Sequence, residues 1–210
     1  MTRTPRNFAP RGRRLACAAT LGMLVSLLGA ASCGEAVRQG KGSTYLIIDE
    51  LAAARGGDSS PTFETVMQSD VQTKGGVFED PGRIRVRLGL KDVTGPTEPS
   101  SNQIITINRY RVVFRRADGR NTQGVDVPYA FDGAVTFTVT SPQTPASATF
   151  TIVRAQAKLE APLKNLVGLG GGVVISTLAD VTFYGRDQTG NEVVVTGTIS
   201  INFADWADPS

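Results

Sequence analysis

The most regular stretch of this chain lies near its C-terminus. From Val193 to Phe203 every second residue is apolar or glycine, and the residues between them are mostly polar. Successive side chains of a β-strand point to opposite faces, so this alternation predicts a strand that buries one face. A second run covers residues 173–184, and Gly190 and Asn191 between the two runs favour a tight turn with positive φ. The segment is therefore predicted to form a β-hairpin.

Shorter runs of the same kind recur from residue 44 onward, separated by clusters of Gly, Pro, Asn and Asp. Such a pattern, with little helix, is typical of an antiparallel β-sandwich, here with seven or eight strands. The apolar phase shifts by one residue near Asn108, which predicts a β-bulge. The other candidate strands cover residues 44–48, 84–90, 105–115, 135–139 and 150–160.

Two segments carry more local expectations. Residues 49–56 resemble a helical turn, with Asp49 near its start and Gly56 at its end. The run from Phe150 to Glu160 alternates with one phase slip, which predicts a strand that Pro162 ends and that leaves Lys158 on its outer side.

The first 32 residues have the composition of an export signal. Five arginines and no acidic residue precede an apolar segment from Leu15, and small residues precede Cys33. This order predicts a secretory signal peptide over residues 1–32. The alternatives are an uncleaved anchor, since Leu15–Ser32 is 18 residues long, and folded export by the twin-arginine route, whose pattern fits poorly. If the arginines stay in the cytoplasm, a cleaved signal peptide and an uncleaved anchor both place the rest of the chain outside it.

The residues "LGAASC", which end at Cys33, resemble the lipobox of bacterial lipoproteins. The resemblance implies that Cys33 is acylated, that the signal peptide is cleaved before it, and that the membrane is bound through the lipid. Gly34 stands where Asp would retain a lipoprotein in the inner membrane, so the resemblance implies the outer membrane, with the domain exposed to the periplasm or cell surface. Residues 33–42 then form a short tether, and residues 43–210 the sandwich domain.

Segments spread over most of the remaining chain resemble a family of uncharacterised bacterial lipoproteins. They are "STYLIIDELAAARG", "FEDPGR", "GVDVPYAFDG", "AQAKLEAPL" and "INFADW". The last hairpin also resembles those of immunoglobulin-like or fibronectin-type domains of bacterial surface proteins. These resemblances imply export and one compact immunoglobulin-like unit, and they bring no activity.

Composition excludes several classes of function. Five of the 22 basic residues lie before Cys33 and all 19 acidic residues lie after it, so the chain from Cys33 onward has 17 basic and 19 acidic residues. A nucleic-acid partner is therefore not expected. The chain contains no histidine, which removes triads of the Ser-His-Asp type and the commonest zinc ligand. With Cys17 in the signal peptide and Cys33 taken by lipid, no disulfide within the chain is expected.

The candidate binding residues are basic. Arginines on two strands would form one basic face if those strands were neighbours, and such a face attracts anionic partners. The alternative is an ordinary solvated sheet face whose charges are balanced by carboxylates. The arginines are Arg85, Arg87, Arg109, Arg111 and Arg115.

No motif predicts a catalytic residue, a metal ligand or a cofactor. Acidic residues at 187–192, and at 126 and 132, lack the spacing of a calcium loop, and a glycosidase pair of carboxylates is not recognisable from sequence. The preferred interpretation is a noncatalytic binding or assembly module with a protein partner in the cell envelope. The alternative is a carbohydrate-binding or carbohydrate-active lipoprotein that uses carboxylates and the aromatic residues Tyr110, Tyr129, Phe131 and Tyr184.

Overall fold

The structure, a computed structural model, describes residues 42–92, 94 and 98–206. Eight strands form two packed sheets, so the predicted all-β sandwich is confirmed. The signal peptide, Cys33 and nearly all of the tether lie outside the described residues. The strands are β1 (Thr44–Ala53), β2 (Val66–Asp70), β3 (Asp80–Leu90), β4 (Ile105–Arg115), β5 (Phe131–Val139), β6 (Ala146–Val153), β7 (Ile175–Asp187) and β8 (Glu192–Ala204).

The strand order is that of an immunoglobulin sandwich. One sheet has the order β1-β3-β6 and the other the order β2-β8-β7-β4-β5. In immunoglobulin domains strands A, B and E share one sheet and strands G, F and C the other, and variable-type domains add a strand beyond C. Here β1, β3 and β6 take the places of A, B and E, while β8, β7, β4 and β5 follow the order of the second sheet.

One strand pair departs from the antiparallel prediction. β2 pairs with β8 in parallel, from Val66 opposite Ser200 to Asp70 opposite Ala204, whereas the other strand pairs are antiparallel. The reason is that the chain leaves β1 in one sheet, crosses over residues 54–65, and continues in the same direction along the edge of the other sheet.

A single hydrophobic core fills the space between the sheets. At its centre the Phe150 ring meets Tyr110 at a centroid distance of 4.9 Å and Phe183 at 5.2 Å, both nearly edge to face. This geometry lets the positive edge of one ring meet the negative face of the next. Because Phe150 belongs to the three-stranded sheet and the other two rings to the five-stranded sheet, this cluster joins the two sheets.

The bulge and the hairpin that the sequence predicts are both present. The register of β4 shifts between Ile107 and Arg109 against both of its neighbours. β7 and β8 form the longest antiparallel pair, and Gly190 in the turn between them has φ of +89°.

The helical turn predicted over residues 49–56 is wrong. β1 continues through this segment to Ala53, with a bulge between Ile48 and Glu50. Leu51, Ala52 and Ala53 are buried, and their pairing with β3 outweighs the helix propensity of the alanines. The bulge hides the strand period from the sequence.

The strand predicted to run from Phe150 to Glu160 is also wrong in its second half. β6 ends at Val153, and a single helical turn, α1 (Ala155–Lys158), follows it. Lys158 is buried rather than on the outer side. The reason lies in its partner, because the Asp80 carboxylate draws the ammonium group inward.

The strands give the sandwich two distinct ends. The chain leads from Gly42 into β1 at what we call the near end, which also carries residues 91–104, 140–145 and 188–191. The far end carries residues 54–65, 71–79, 116–130 and 154–174, the last of which contain α1 and short 3₁₀ turns at Leu163–Leu166 and Gly170–Gly172. Within the described residues, no helix has the length and apolar character needed to cross a bilayer.

Candidate functional site

The five arginines that would form one basic face if their strands were neighbours lie on opposite sides of the sandwich. Arg85 and Arg87 belong to β3 in the three-stranded sheet. Arg109, Arg111 and Arg115 belong to β4 in the five-stranded sheet. Both groups point away from the core. The condition for one basic face is therefore not met, since the chain changes sheets between the two strands.

Each of these arginines has a carboxylate beside it. Arg85 lies 3.5 Å from Glu50 and Arg87 lies 2.8 Å from Asp49. On the other sheet Arg109 and Arg111 share Asp132, at 3.2 and 2.7 Å, and Arg115 lies 2.6 Å from Asp180. Exposed pairs of this kind add little stability. They do place negative charge among the guanidinium groups, so neither face presents an uninterrupted positive surface.

A concave feature lined by described residues lies toward the far end, and we call it the far-end cleft. Its volume is about 570 Å³, within the range of small-ligand sites. It opens where the loop after β1 and the start of β3 face the edge strands β5 and β6. The residues that contribute chemistry to it are Arg55, Asp58, Phe78, Glu79, Tyr110 and Thr151.

Phe78 provides an aromatic surface in this cleft. Its side chain is 45% exposed, although it packs closely on three glycines. A Cβ added at Gly57 would lie 2.9 Å from the ring, one added at Gly76 would lie 2.7 Å from it, and one at Gly56 would lie 3.0 Å from Phe78 Cβ. These glycines let the backbone approach the ring, so Phe78 is held in place on one side while it remains open to solvent on another.

Polar side chains surround the ring. Arg55, Asp58 and Glu79 line the cleft with Phe78, and Thr151 donates a hydrogen bond to Glu79 over 3.3 Å. Among the described arginines, Arg55 is the one with neither a carboxylate nor an aromatic partner. Its five N–H donors are therefore available to a ligand.

A buried ionic network lies beneath the cleft. Lys158 Nζ donates to Asp80 Oδ1 over 2.7 Å, and both residues are fully buried. The backbone N–H of Gly56 donates to the same oxygen over 2.8 Å, and Ser69 donates to Oδ2 over 2.6 Å. Burial raises the pKa of the Asp80 carboxyl, and Lys158 opposes that effect. The network fixes the loop that carries Arg55 relative to Glu79, the residue before Asp80.

The aromatic residues named for the carbohydrate alternative are scattered. Tyr110 and Phe131 are buried in the core, and of the four residues only Tyr110 lines the far-end cleft. Burial raises the pKa of the Tyr110 hydroxyl, and Thr151 opposes that effect. Tyr129 packs over Gly124, and Tyr184 lies on the outer face under Arg109, whose guanidinium carbon is 4.0 Å from the ring centroid.

The acidic residues around the last hairpin form a turn. Asp187 accepts hydrogen bonds from Thr189 and from the backbone and side chain of Asn191, at 2.7 to 2.9 Å. Burial opposes their effect, yet these bonds lower the pKa of the Asp187 carboxyl. Across the part of the chain that the structure describes, no cluster of three or more His, Cys, Asp or Glu residues has the geometry of a metal site.

Sequence reasoning did not identify Phe78 or Arg55. The available signal was the diglycine at residues 75–76, which precedes the aromatic residue of "GGVFED", together with a second diglycine at residues 56–57. Paired glycines next to an aromatic residue indicate close approach of the backbone to a ring. Their contact across the fold depends on β1 and β3 being neighbours, which the sequence does not reveal.

Comparison with protein-family models found no matching family, and comparison with curated proteins found no match either.

Proposed function

We propose that this chain is a lipid-anchored protein of the bacterial cell envelope that acts as a noncatalytic binding module. Its anchor is Cys33, acylated in the outer membrane, and its domain faces the periplasm or the cell surface. The order of basic, apolar and small residues before Cys33 supports the anchor. Two or more acyl chains make such an anchor stable, because each buried methylene contributes about 0.8 kcal/mol.

The observation that carries the binding role is the position of the far-end cleft relative to the point where the chain enters the sandwich. The chain reaches β1 through Gly42 at the near end, and β1 then runs toward the cleft. Its ten residues span about 30 Å at 3.3 Å per residue. A module held by its N-terminal tether thus presents the cleft away from the attachment point, where a partner has access to it.

The charge distribution supports a cleft rather than a charged face as the binding surface. The outward arginines of β3 and β4 are matched by carboxylates, whereas Arg55 in the cleft has no such partner among the described residues. Matched surface charges favour solubility over specific attraction. We therefore place the partner contact in the far-end cleft.

The anchor is tested by intact-mass analysis of the membrane-extracted chain. We expect a mass that begins at Cys33 and includes acyl chains, and we expect Cys33→Ala to abolish the modification and release the protein from membranes. Cys17→Ala is the matched control, because its cysteine lies within the signal peptide and its loss leaves the modification unchanged. A native mass that retains residues before 33, or lacks acyl chains, refutes the lipid anchor.

The binding role is tested by a photo-crosslinking residue placed in cells at Ala134, which is exposed and lines the cleft. Thr138 is the control position, since it is exposed on the same side of β5 and closer to the near end. We expect a discrete conjugate from position 134 and none from position 138. Equal labelling at both positions, or none at 134, argues against a binding module that uses this cleft.

A further inference from the structure

We propose that the far-end cleft binds a neutral carbohydrate, with a sugar ring stacked on Phe78 and its hydroxyls held by Arg55, Asp58 and Glu79. This inference rests on the proposed function and assigns a ligand class to it. The residues that carry it come from two separate segments, which the sandwich brings to one opening.

The cleft contains an aromatic surface on which a sugar ring can stack. A pyranose presents C–H groups on its faces, and these carry partial positive charge that the negative face of an aromatic ring attracts. Phe78 is 45% exposed but lies against Gly57 and Gly76, so its ring is already oriented before a ligand arrives. A preoriented ring loses little conformational entropy on binding.

The polar groups of the cleft match the hydroxyls of a sugar. Carboxylates accept two hydrogen bonds and a guanidinium donates several in one plane, so both match neighbouring hydroxyls of a sugar. Arg55 and Asp58 line the cleft without a partner among the described residues, while Glu79 receives the hydroxyl of Thr151. The cleft therefore offers donors and acceptors together, as a ligand rich in hydroxyls requires.

The charge of the groups that line the cleft favours a neutral ligand. One guanidinium and two carboxylates line the opening, so an anionic polysaccharide meets repulsion there. A neutral sugar meets no such penalty, and its hydroxyls can both donate to the carboxylates and accept from the guanidinium.

The rigidity of the site comes from the network below it. The Asp80 carboxylate accepts a hydrogen bond from the backbone N–H of Gly56, the residue after Arg55. Asp80 also directly follows Glu79 in the chain. The loop that carries Arg55 and the start of β3 are thus both fixed by one buried carboxylate, Asp80, which Lys158 neutralises. Sites held in this way have their binding groups in position before the ligand binds.

The experiment is saturation-transfer NMR on the detergent-solubilised full chain with cellohexaose, maltohexaose and chitohexaose, and with an alginate hexamer as the anionic probe. We expect transfer from the protein to sugar-ring protons of at least one neutral hexamer and none to alginate. Phe78→Ala should weaken that binding about tenfold or more, and Arg55→Ala should weaken it as well. Tyr45→Ala is the matched control, since Tyr45 is also 45% exposed and packs over Gly89, but lies outside the cleft.

Phe78→Leu keeps apolar bulk but removes the aromatic face, so it tests the stacking in a variant that folds if Phe78→Ala does not. Absence of transfer to all three neutral hexamers, or equal binding by wild type and Phe78→Leu, overturns the carbohydrate assignment. If the conjugate formed at position 134 in cells is then digested by protease and resists periodate, the ligand is a protein and the proposed function stands. If a neutral hexamer binds but no conjugate forms in cells, the proposed function in the cell is refuted and the carbohydrate site is supported.

Discussion

Lys158 Nζ lies 2.7 Å from Asp80 Oδ1 in a position from which solvent is excluded. The two residues are far apart in the sequence, and their ion pair joins α1 to the start of β3. Asp80 also binds Ser69 of β2 and the loop at Gly56, so one carboxylate holds segments from both sheets. This contact is the best target for testing how the far end is stabilised.

Replacing Lys158 with Met should destabilise the fold strongly. The substitution leaves a buried carboxylate without its counter-charge, which typically costs about 3–5 kcal/mol of unfolding free energy. Urea denaturation at neutral pH measures it. Lys164→Met is the control, because Lys164 is exposed and its loss should cost less than about 0.5 kcal/mol. A loss below about 1 kcal/mol in Lys158→Met would mean that the pair contributes nothing beyond packing.

The same variant should respond to pH in a definite direction. Burial already raises the pKa of Asp80 in the folded protein, and removal of Lys158 takes away the group that opposes this rise. A carboxyl with a higher pKa in the folded state destabilises the fold at pH above that pKa, and the penalty disappears as pH falls below its unfolded value near 4. We therefore expect Lys158→Met to lie closer to wild type at acidic pH than at pH 8. Equal losses at both pH values would contradict this assignment.

Asp187 should show the opposite pH behaviour. Although burial opposes them, the hydrogen bonds from Asn191 and Thr189 lower its pKa. A lowered pKa stabilises the fold above the unfolded value near 4, and this contribution is lost as pH falls through the folded value. Asp187→Asn should therefore lower stability at pH 7 and flatten the dependence of the unfolding free energy on pH below about 4. A variant with the slope of wild type in that range would refute the role of this turn.

Gly57 should tolerate substitution less well than another glycine of the same conformation. Its φ is +87°, and an added Cβ would lie 2.9 Å from the Phe78 ring. Gly119 has φ of +81°, and a Cβ added there would have no atom within 4 Å. Gly119→Ala therefore measures the cost of the backbone conformation alone, about 1–2 kcal/mol. We expect Gly57→Ala to cost more than Gly119→Ala in thermal unfolding and to displace the ring. Equal costs would indicate that Phe78 is not held by this contact.

Removing the exposed arginines of β4 should change stability and vesicle binding very little. Arg109 and Arg111 share Asp132 on an exposed face, and such pairs contribute about 0–1 kcal/mol. The double substitution Arg109→Ala and Arg111→Ala should leave stability within that range and leave binding to anionic vesicles unchanged. Sedimentation with vesicles rich in anionic lipid measures the second effect, and a marked loss of binding would restore a basic face on this sheet.

Strands were predictable wherever one face is buried along their whole length. The period of two marks Val193–Phe203 clearly, and the phase slip at Asn108 revealed the bulge of β4. The period failed at Asp49, where a bulge interrupts β1. It also failed after Val153, where Lys158 turns inward to meet a partner distant in the sequence. The parallel pairing of β2 with β8 depends on a crossover that no local pattern encodes.

The candidate site was harder to predict than the fold for the same reason. Arg85 and Arg109 look alike in sequence, yet they lie on opposite faces because the chain changes sheets between β3 and β4. Phe78 and Arg55 become neighbours only when β1 pairs with β3 and the glycines let the loop approach the ring. Contacts of this kind depend on tertiary arrangement, and composition and spacing carry little trace of them.

The antiparallel pairing of β1 with β3 has a mechanical consequence for a chain pulled from its N-terminal side. Ladder hydrogen bonds lie perpendicular to the strands, so tension applied through Gly42 along β1 loads them in shear, many at once. Peeling would break them one after another at lower force. If a partner at the far end resists the pull, the line of force runs along the strands, and the domain yields at a rate set by its unfolding barrier. With the anchor and the binding role proposed above, such a domain would withstand traction between the membrane and its partner.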